Sequence, residues 1–373
     1  MNFAFSEEQE ELRRLARKWL EEKSPSAVVR RLMDSEDGFD QALWKETAAM
    51  GWQAMAIPEE YGGAGFGFLE QVVLLEEMGR ALHPTPYLAT AVMAANLLLE
   101  AGSEEQKQKY LPALAAGDLT ATVAFTEPNG LWVEAGVEAT ATRTATGVAV
   151  SGTKSFVLDG HTADLLLVAA RTDEGVALFL IDGASPGVTR RRLETMDMTR
   201  KLAEVVLDNV EVGVDALLGQ LGKGWELVER ILARSAVALA AEQVGGAQKC
   251  LEMSVDYAKV RHQFGRPIGS FQAIKHKCAD MLVQVESARS AAYYAAWAVS
   301  EGNDEVPLVA PLAKSYCSEA FFFCASENIQ IHGGIGFTWE HDAHLYFKRA
   351  KSSELLFGEP AHHRAVLATR LGL

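Results

Sequence analysis

The stretch Asn328-Ile-Gln-Ile-His-Gly-Gly-Ile-Gly-Phe337 closes the most helical part of this 373-residue chain. An apolar helix runs into it from Leu308 through Ala320-Phe-Phe-Phe-Cys-Ala325 and is stopped at Gly333-Gly334-Ile-Gly336, because glycine adopts positive φ at little cost. Taken alone, the stretch is a helix C-cap. A run this rich in glycine also lets a second backbone or a phosphate come close. Upstream lies Arg261-His-Gln-Phe-Gly-Arg-Pro-Ile-Gly-Ser-Phe-Gln272, a loop between two further long helices.

Working outward, the composition is 49% hydrophobic and 23% charged, that of a globular chain long enough for two or three domains. The net charge of −15 disfavours a nucleic-acid partner. Arg190-Arg-Arg192 is a local basic cluster, equally explained as an anion groove or a solvated strand. Cys250, Cys278, Cys317 and Cys324 all fall in helical sequence without a C-x-x-C pair, which reads as reduced thiols in a cytoplasmic protein. Met1-Asn-Phe-Ala-Phe-Ser-Glu-Glu lacks the charged and apolar regions of a signal peptide, and no apolar run reaches the roughly 20 residues that cross a bilayer, so no membrane partner is expected. His332 and His362-His363 have no third ligand at suitable spacing, so no metal site is expected.

Ser6-Glu-Glu-Gln9 is a capping box opening a helix to about Lys23. Helices are expected at Phe39–Met50, Phe68–Ala81, Pro84–Ala101 and, capped by Ser103, at Glu104–Ala115; Ala56-Ile-Pro-Glu-Glu-Tyr-Gly-Gly-Ala-Gly is a loop. From Thr120 the chain changes to short apolar or β-branched runs: Thr122-Val-Ala-Phe, Ala139-Thr-Ala-Thr, Val148-Ala-Val, Leu165-Leu-Leu-Val-Ala, Val176-Ala-Leu-Phe-Leu-Ile and Glu204-Val-Val-Leu. Gly and Asp separate them, as in a compact antiparallel β domain. After Gly222-Lys-Gly224, helices return at Trp225–Val260, Phe271–Ser300, Leu308–Gln330 and near Ala361–Arg370, a four-helix bundle. The expected class is therefore α+β, with an all-helical domain over 1–118, a middle antiparallel β domain over 119–220 and a C-terminal bundle over 221–373.

These motifs, together with Pro58-Glu-Glu-Tyr-Gly-Gly-Ala-Gly65, Tyr110-Leu-Pro112 and Thr126-Glu-Pro128, resemble the acyl-CoA dehydrogenase family over essentially the whole chain. The resemblance implies FAD as cofactor, an acyl-CoA substrate, an electron-transfer flavoprotein or similar acceptor, and a homo- or hetero-oligomer. In that family the arginine loop of one subunit and the Gln-x-x-Gly-Gly turn of a neighbour jointly hold the diphosphate and adenine of FAD. Carried onto this chain, the cofactor-binding residues are Arg261, Gln263, Phe264 and Gln272 on the loop, Gln330, Gly333 and Gly334 on the turn, and Thr126 and Phe156 against the flavin ring. Arg261 suits the role because a guanidinium grips a diphosphate in a bidentate way that lysine does not. The reaction removes a proton beside a thioester and a hydride from the next carbon, and a hydride acceptor must be a cofactor.

The chain departs from the family pattern at several of these places. Where the family has Gly-Ala-Gly-Ser-Asp, this chain reads Asn129-Gly-Leu-Trp-Val-Glu134, without the serine. Phe156 takes the place of a tryptophan and Leu158 that of a threonine. The two positions at which the family carries its catalytic glutamate are Phe357 and Ser235, neither of them a base. Glu359 and Glu242 are the nearest carboxylates and the catalytic candidates, with Glu354 third; Glu359 before Pro360 also reads as a helix cap. These departures resemble an actinobacterial-type subgroup in which two dehydrogenase-like chains pair and act on steroid side-chain and other bulky acyl-CoA esters. Alternative readings are a base-lacking subunit that completes a partner's FAD site, and a flavin oxidase or monooxygenase on the same fold.

Overall fold

The structure, a computed structural model, describes residues 6–373; Met1–Phe5 lie outside the described residues. In chain order it runs helices, strands, helices, an α+β architecture. The helices before the sheet are α1 (Glu7–Lys23), α2 (Ser26–Met33), α3 (Gln41–Ala49), α4 (Phe68–Ala81), α5 (Ala95–Ala101) and α6 (Glu104–Ala115). The predicted capping box forms, with Ser6 Oγ accepting from Gln9 N at 3.2 Å, and the predicted Ser103 cap proves to be a second box, Ser103 Oγ accepting from Gln106 N at 3.2 Å. The Asp40 carboxylate caps α3, so that helix starts at Gln41, two residues later than its apolar pattern suggests. The segment Leu88–Ala94, expected as plain α-helix, is wound as a π-helix whose freed carbonyls at Ala91 and Val92 accept from Asn96 Nδ2 at 3.3 and 2.8 Å.

The sheet contains β1 (Ala121–Ala124), β2 (Thr140–Arg143), β3 (Gly147–Leu158), β4 (Leu165–Thr172), β5 (Gly175–Asp182), β6 (Val188–Arg192), β7 (Leu202–Gly213) and β8 (Leu217–Leu218), in the order β6-β7-β3-β2-β4-β5-β8 with β1 beside β4. The expected antiparallel pairing holds for most of it, but β1 and β2 each run parallel to β4. Both faces of β4 and β5 are covered, and Leu166, Val168, Phe179, Ile181, Val205 and Val210 form the centre of this core. The predicted four helices after the sheet are joined by a fifth. They are α7 (Gly224–Val260), α8 (Gln272–Ser300), α9 (Val306–His332), α10 (Ala343–Leu355) and α11 (Pro360–Arg370). Helix α10 escaped the sequence reading because it buries His344 and Arg349 among its apolar residues, which breaks the periodic signal.

Two compact units divide the chain, each drawing on separated segments: Met1–Arg31, Phe68–His83 and Ala236–Leu373 form one, Leu32–Gly67 and Pro84–Ser235 the other. The first is helical apart from one short hairpin at 262–267, with α8, α10 and α11 all packed on α9. In it α4 and α7 cross so closely that a Cβ on Gly245 would lie 1.8 Å from the Glu76 carbonyl oxygen. The second unit contains the sheet.

Candidate functional site

In the helical unit, α7 ends where Arg261 N donates to Tyr257 O at 2.8 Å. The chain then makes a short hairpin, β9 (His262–Gln263) against β10 (Arg266–Pro267), with Arg266 opposite Gln263. Its two-residue turn is Phe264 at φ 53° and Gly265 at φ 76°. Two positive φ values define the turn that matches strand twist, and Asn-Gly usually supplies them. Phenylalanine in that backbone region is a steric outlier, and here the turn leaves its ring 92% exposed. Phe271 lies edge-on to Phe264 at 6.1 Å, and the Arg266 guanidinium sits over Phe271 at 4.1 Å. Arg261, Gln263 and Gln272, the first residue of α8, are exposed.

Helix α9 ends at Gly333, whose φ of 64° turns the chain into the short Gly333–Phe337 helix. A Cβ on Gly333 or Gly334 would meet nothing within 4 Å, and Gln330 is exposed beside them. The base of this turn is packed. His332 stacks on Tyr257 at 4.3 Å and donates from Nδ1 to Asn328 O at 2.8 Å; Ser254 Oγ donates to Asn328 Oδ1 at 2.9 Å. Burial holds His332 below the ordinary imidazole pKa. Tyr257 is one turn before Arg261 and His332 adjoins Gly333, so the arginine loop and the glycine turn grow from one junction of α7 and α9.

In the sheet-containing unit, Thr126 is buried and its carbonyl accepts from Ser155 N at 2.9 Å. Its neighbour Glu127 accepts from Glu138 N at 2.9 Å, Ala139 N at 3.0 Å and the Lys154 ammonium at 2.5 Å. Both members of this ion pair are buried, and burial depresses the Lys154 pKa against the opposing pull of Glu127. The pair anchors β3 where its register with β7 slips between Lys154 and Val157. That bulge presents Phe156 at φ 55° with the residue 54% exposed. The departure Asn129–Glu134 is an ordered loop: Asn129 Nδ2 donates to Gly136 O at 2.8 Å and Asn129 Oδ1 accepts from Leu131 N at 3.0 Å. Neither the Glu127–Lys154 pair nor the left-handed Phe156 was visible as such in the sequence, although a lysine inside an apolar strand is the trace they leave.

The carboxylates separate clearly. Glu242 is buried and accepts from Arg349 Nη1 at 2.9 Å, with that guanidinium equally buried. Glu359 is exposed at the N-cap of α11 and its side chain makes no cap hydrogen bond. Glu354 pairs with Lys351 at 2.8 Å. Ser235 is fully buried and donates to Ile231 O at 2.6 Å, while Phe357 is buried at φ 62°. Among the described residues no group of three or more His, Cys, Asp or Glu is arranged to hold a metal, and no helix is long and apolar enough to cross a membrane.

The residues present fit FAD. The open space over Gly265, Gly333 and Gly334 lets a phosphate come close to the backbone, and the exposed guanidinium and amide side chains are the donors a diphosphate needs. Comparison with known proteins gives the same direction. Residues 6–118 match the family model for the acyl-CoA dehydrogenase N-terminal domain, 122–210 that for the middle domain and 222–372 that for the C-terminal domain. The acyl-CoA dehydrogenase IpdE2 of Mycolicibacterium smegmatis is 38% identical over 95% of this chain and 96% of its own length. The butyryl-CoA dehydrogenase structure from Megasphaera elsdenii superposes with a TM-score of 0.93 at 29% identity, covering all of both chains. A chain of the ChsE4-ChsE5 complex from Mycobacterium tuberculosis superposes with a TM-score of 0.92 at 32% identity, covering 100% of this chain and 99% of that one.

Proposed function

The chain belongs to the acyl-CoA dehydrogenase family, and from that premise we propose that it catalyses the FAD-dependent α,β-dehydrogenation of an acyl-CoA thioester. The observation that carries this reading is the pair of open loops, 261–272 and 330–334, rooted in one α7–α9 junction and lined with diphosphate donors. When bound, FAD supplies the acceptor for the hydride that leaves the β-carbon. Arg261 would grip the diphosphate, Gln263 and Gln272 would add polar contacts, and Phe264 would offer the cofactor an aromatic face. Gln330, Gly333 and Gly334 serve a neighbouring subunit's cofactor in the same way, so the working form is an oligomer. Thr126 and Phe156 would face the flavin ring, with the Glu127–Lys154 pair anchoring the strand that carries Phe156.

In this reading Glu359 takes the α-proton. It is the candidate whose carboxylate is open and uncapped, whereas the Glu242 carboxylate is engaged by Arg349. An electron-transfer flavoprotein or similar acceptor would be its redox partner, and the protein is cytoplasmic. A second reading rests on one observation: the family's base position is Phe357, buried and left-handed. There the chain is the base-lacking half of a heteromer, acting on a bulky acyl-CoA. Anaerobic mixing of Glu359→Gln with an acyl-CoA that bleaches the wild-type flavin separates the two. Loss of bleaching supports Glu359 as base. Bleaching at the wild-type rate removes Glu359 from that role. Wild-type flavoprotein that bleaches only after a second dehydrogenase chain is added supports the heteromer.

A further inference from the structure

Segment 354–359 links α10 to α11 and carries both Phe357 and Glu359. It is held from the inside by two cationic or polar side chains from the flanking helices. Lys314, in the middle of α9, is fully buried. Its ammonium donates to Glu354 O at 3.1 Å, Gly358 O at 3.1 Å and Ser318 Oγ at 3.0 Å. Ser318 in turn accepts from Gln243 Nε2 at 3.0 Å, the residue beside Glu242. From α11, buried His363 donates from Nε2 to Phe357 O at 3.0 Å. Three carbonyls of one short turn therefore point inward at donors, while Glu359 is left on the outside.

The energetics favour a specific role over incidental packing. A buried ammonium is destabilising unless its hydrogen bonds are met. Here the carbonyl end of α10, with its partial negative charge, supplies part of the compensation. The turn needs outside support, because Phe357 at φ 62° and Gly358 at φ 101° follow one another and the former is sterically unfavourable. Burial and the neighbouring Lys314 push the His363 imidazole down to about 3, so it stays neutral and keeps its Nε2 proton for the Phe357 carbonyl.

We propose that Lys314 and His363 are positioning residues that hold the 354–359 turn in the geometry that aims Glu359 at the substrate α-carbon. This rests on the reading of Glu359 as the base. A base displaced by about 1 Å loses on the order of 10²-fold in rate while substrate binding through the thioester arm persists. Lys314→Met removes the donors to Glu354 and Gly358 without adding volume.

The test uses the full-length flavoprotein with whichever of butyryl-, octanoyl- or a ring-bearing propanoyl-CoA the wild type turns over fastest. The expected result for Lys314→Met is a kcat lower by about 10²-fold with KM within about twofold and flavin content unchanged. His363→Leu, which deletes one bond, falls less, and His363→Gln, which keeps a donor toward the Phe357 carbonyl, restores much of the loss. If Lys314→Met yields no flavoprotein, the contrast between His363→Leu and His363→Gln decides. A lowered Tm with kcat per bound flavin unchanged in every variant overturns the proposal. Two further readouts keep it separable from the base assignment. Deuterium wash-in at the acyl-CoA α-carbon that survives Glu359→Gln removes the base. Amide hydrogen exchange of residues 354–359 must still rise in Lys314→Met if the clamp is real, and unchanged exchange there sinks the clamp whatever the base proves to be.

Discussion

Replacing Glu242 by glutamine separates a structural carboxylate from a catalytic one. Glu242 and Arg349 meet at 2.9 Å with side chains 8% and 4% exposed. Glutamine keeps the shape but removes the negative charge that faces the buried Arg349 guanidinium. Breaking a buried pair from one side costs about 3–5 kcal/mol, because the remaining charge keeps its desolvation penalty. For a compact unit of this size each kcal/mol shifts Tm by roughly 2–4 °C, so a fall of roughly 10 °C is expected in differential scanning fluorimetry. Turnover per bound flavin should remain within about threefold of wild type, since the Glu242 carboxylate is engaged by a buried guanidinium and is structural in this account. Glu242→Leu with Arg349→Met, which removes both charges, should recover most of the lost stability. An unchanged Tm together with a thousandfold loss of turnover would refute this reasoning and return Glu242 to the chemistry.

Other expectations bear on separate parts of the molecule. Lys154→Met leaves the Glu127 carboxylate buried and unpaired, so it should lower Tm by a comparable amount and weaken flavin retention, and Glu127→Gln in the same chain should restore stability (thermal melts with flavin fluorescence). Arg261→Lys replaces a bidentate fork with a point charge and should weaken FAD binding by about tenfold, read by titration of apoprotein. Gly245→Ala drives a methyl into the Glu76 carbonyl and should lower yield and Tm more than any exposed helical Gly→Ala change does, with circular dichroism and melting as the check. Burial holds His83 at about 4 and His363 at about 3, both below the ordinary 6.5. The unfolded chain then binds protons that the folded chain does not, so stability is fully present above about pH 6.5 and falls as pH drops toward 4, by up to roughly 3 kcal/mol from His83 alone. Urea titrations across that window should show the slope, and His83→Gln should flatten it.

The order of helices and strands was legible because capping boxes, period-2 runs and glycine stops are local signals, and Ser6, Ser103 and Gly333 each behave as their chemistry requires. The arginine loop and glycine turn were legible through their resemblance to the family motifs. What escaped notice depends on partners far along the chain. Glu242 reads as an odd carboxylate in Ala-Leu-Ala-Ala sequence until Arg349, 107 residues away, is seen against it. Helix α10 hides because it serves such partners. The parallel pairing of β1 and β2 with β4 follows from a long-range register that alternation alone does not encode. Phe156, Phe264 and Phe357 carry no sequence mark of positive φ, yet all three stand at positions the motifs single out.

The most direct test of the central claim is the visible flavin absorption of the purified chain during anaerobic addition of acyl-CoA thioesters, with the product identified by mass spectrometry. A dehydrogenase gives yellow protein that bleaches with a thioester and releases the corresponding enoyl-CoA. Yellow protein that no acyl-CoA bleaches, alone or with a second dehydrogenase chain, would contradict the account.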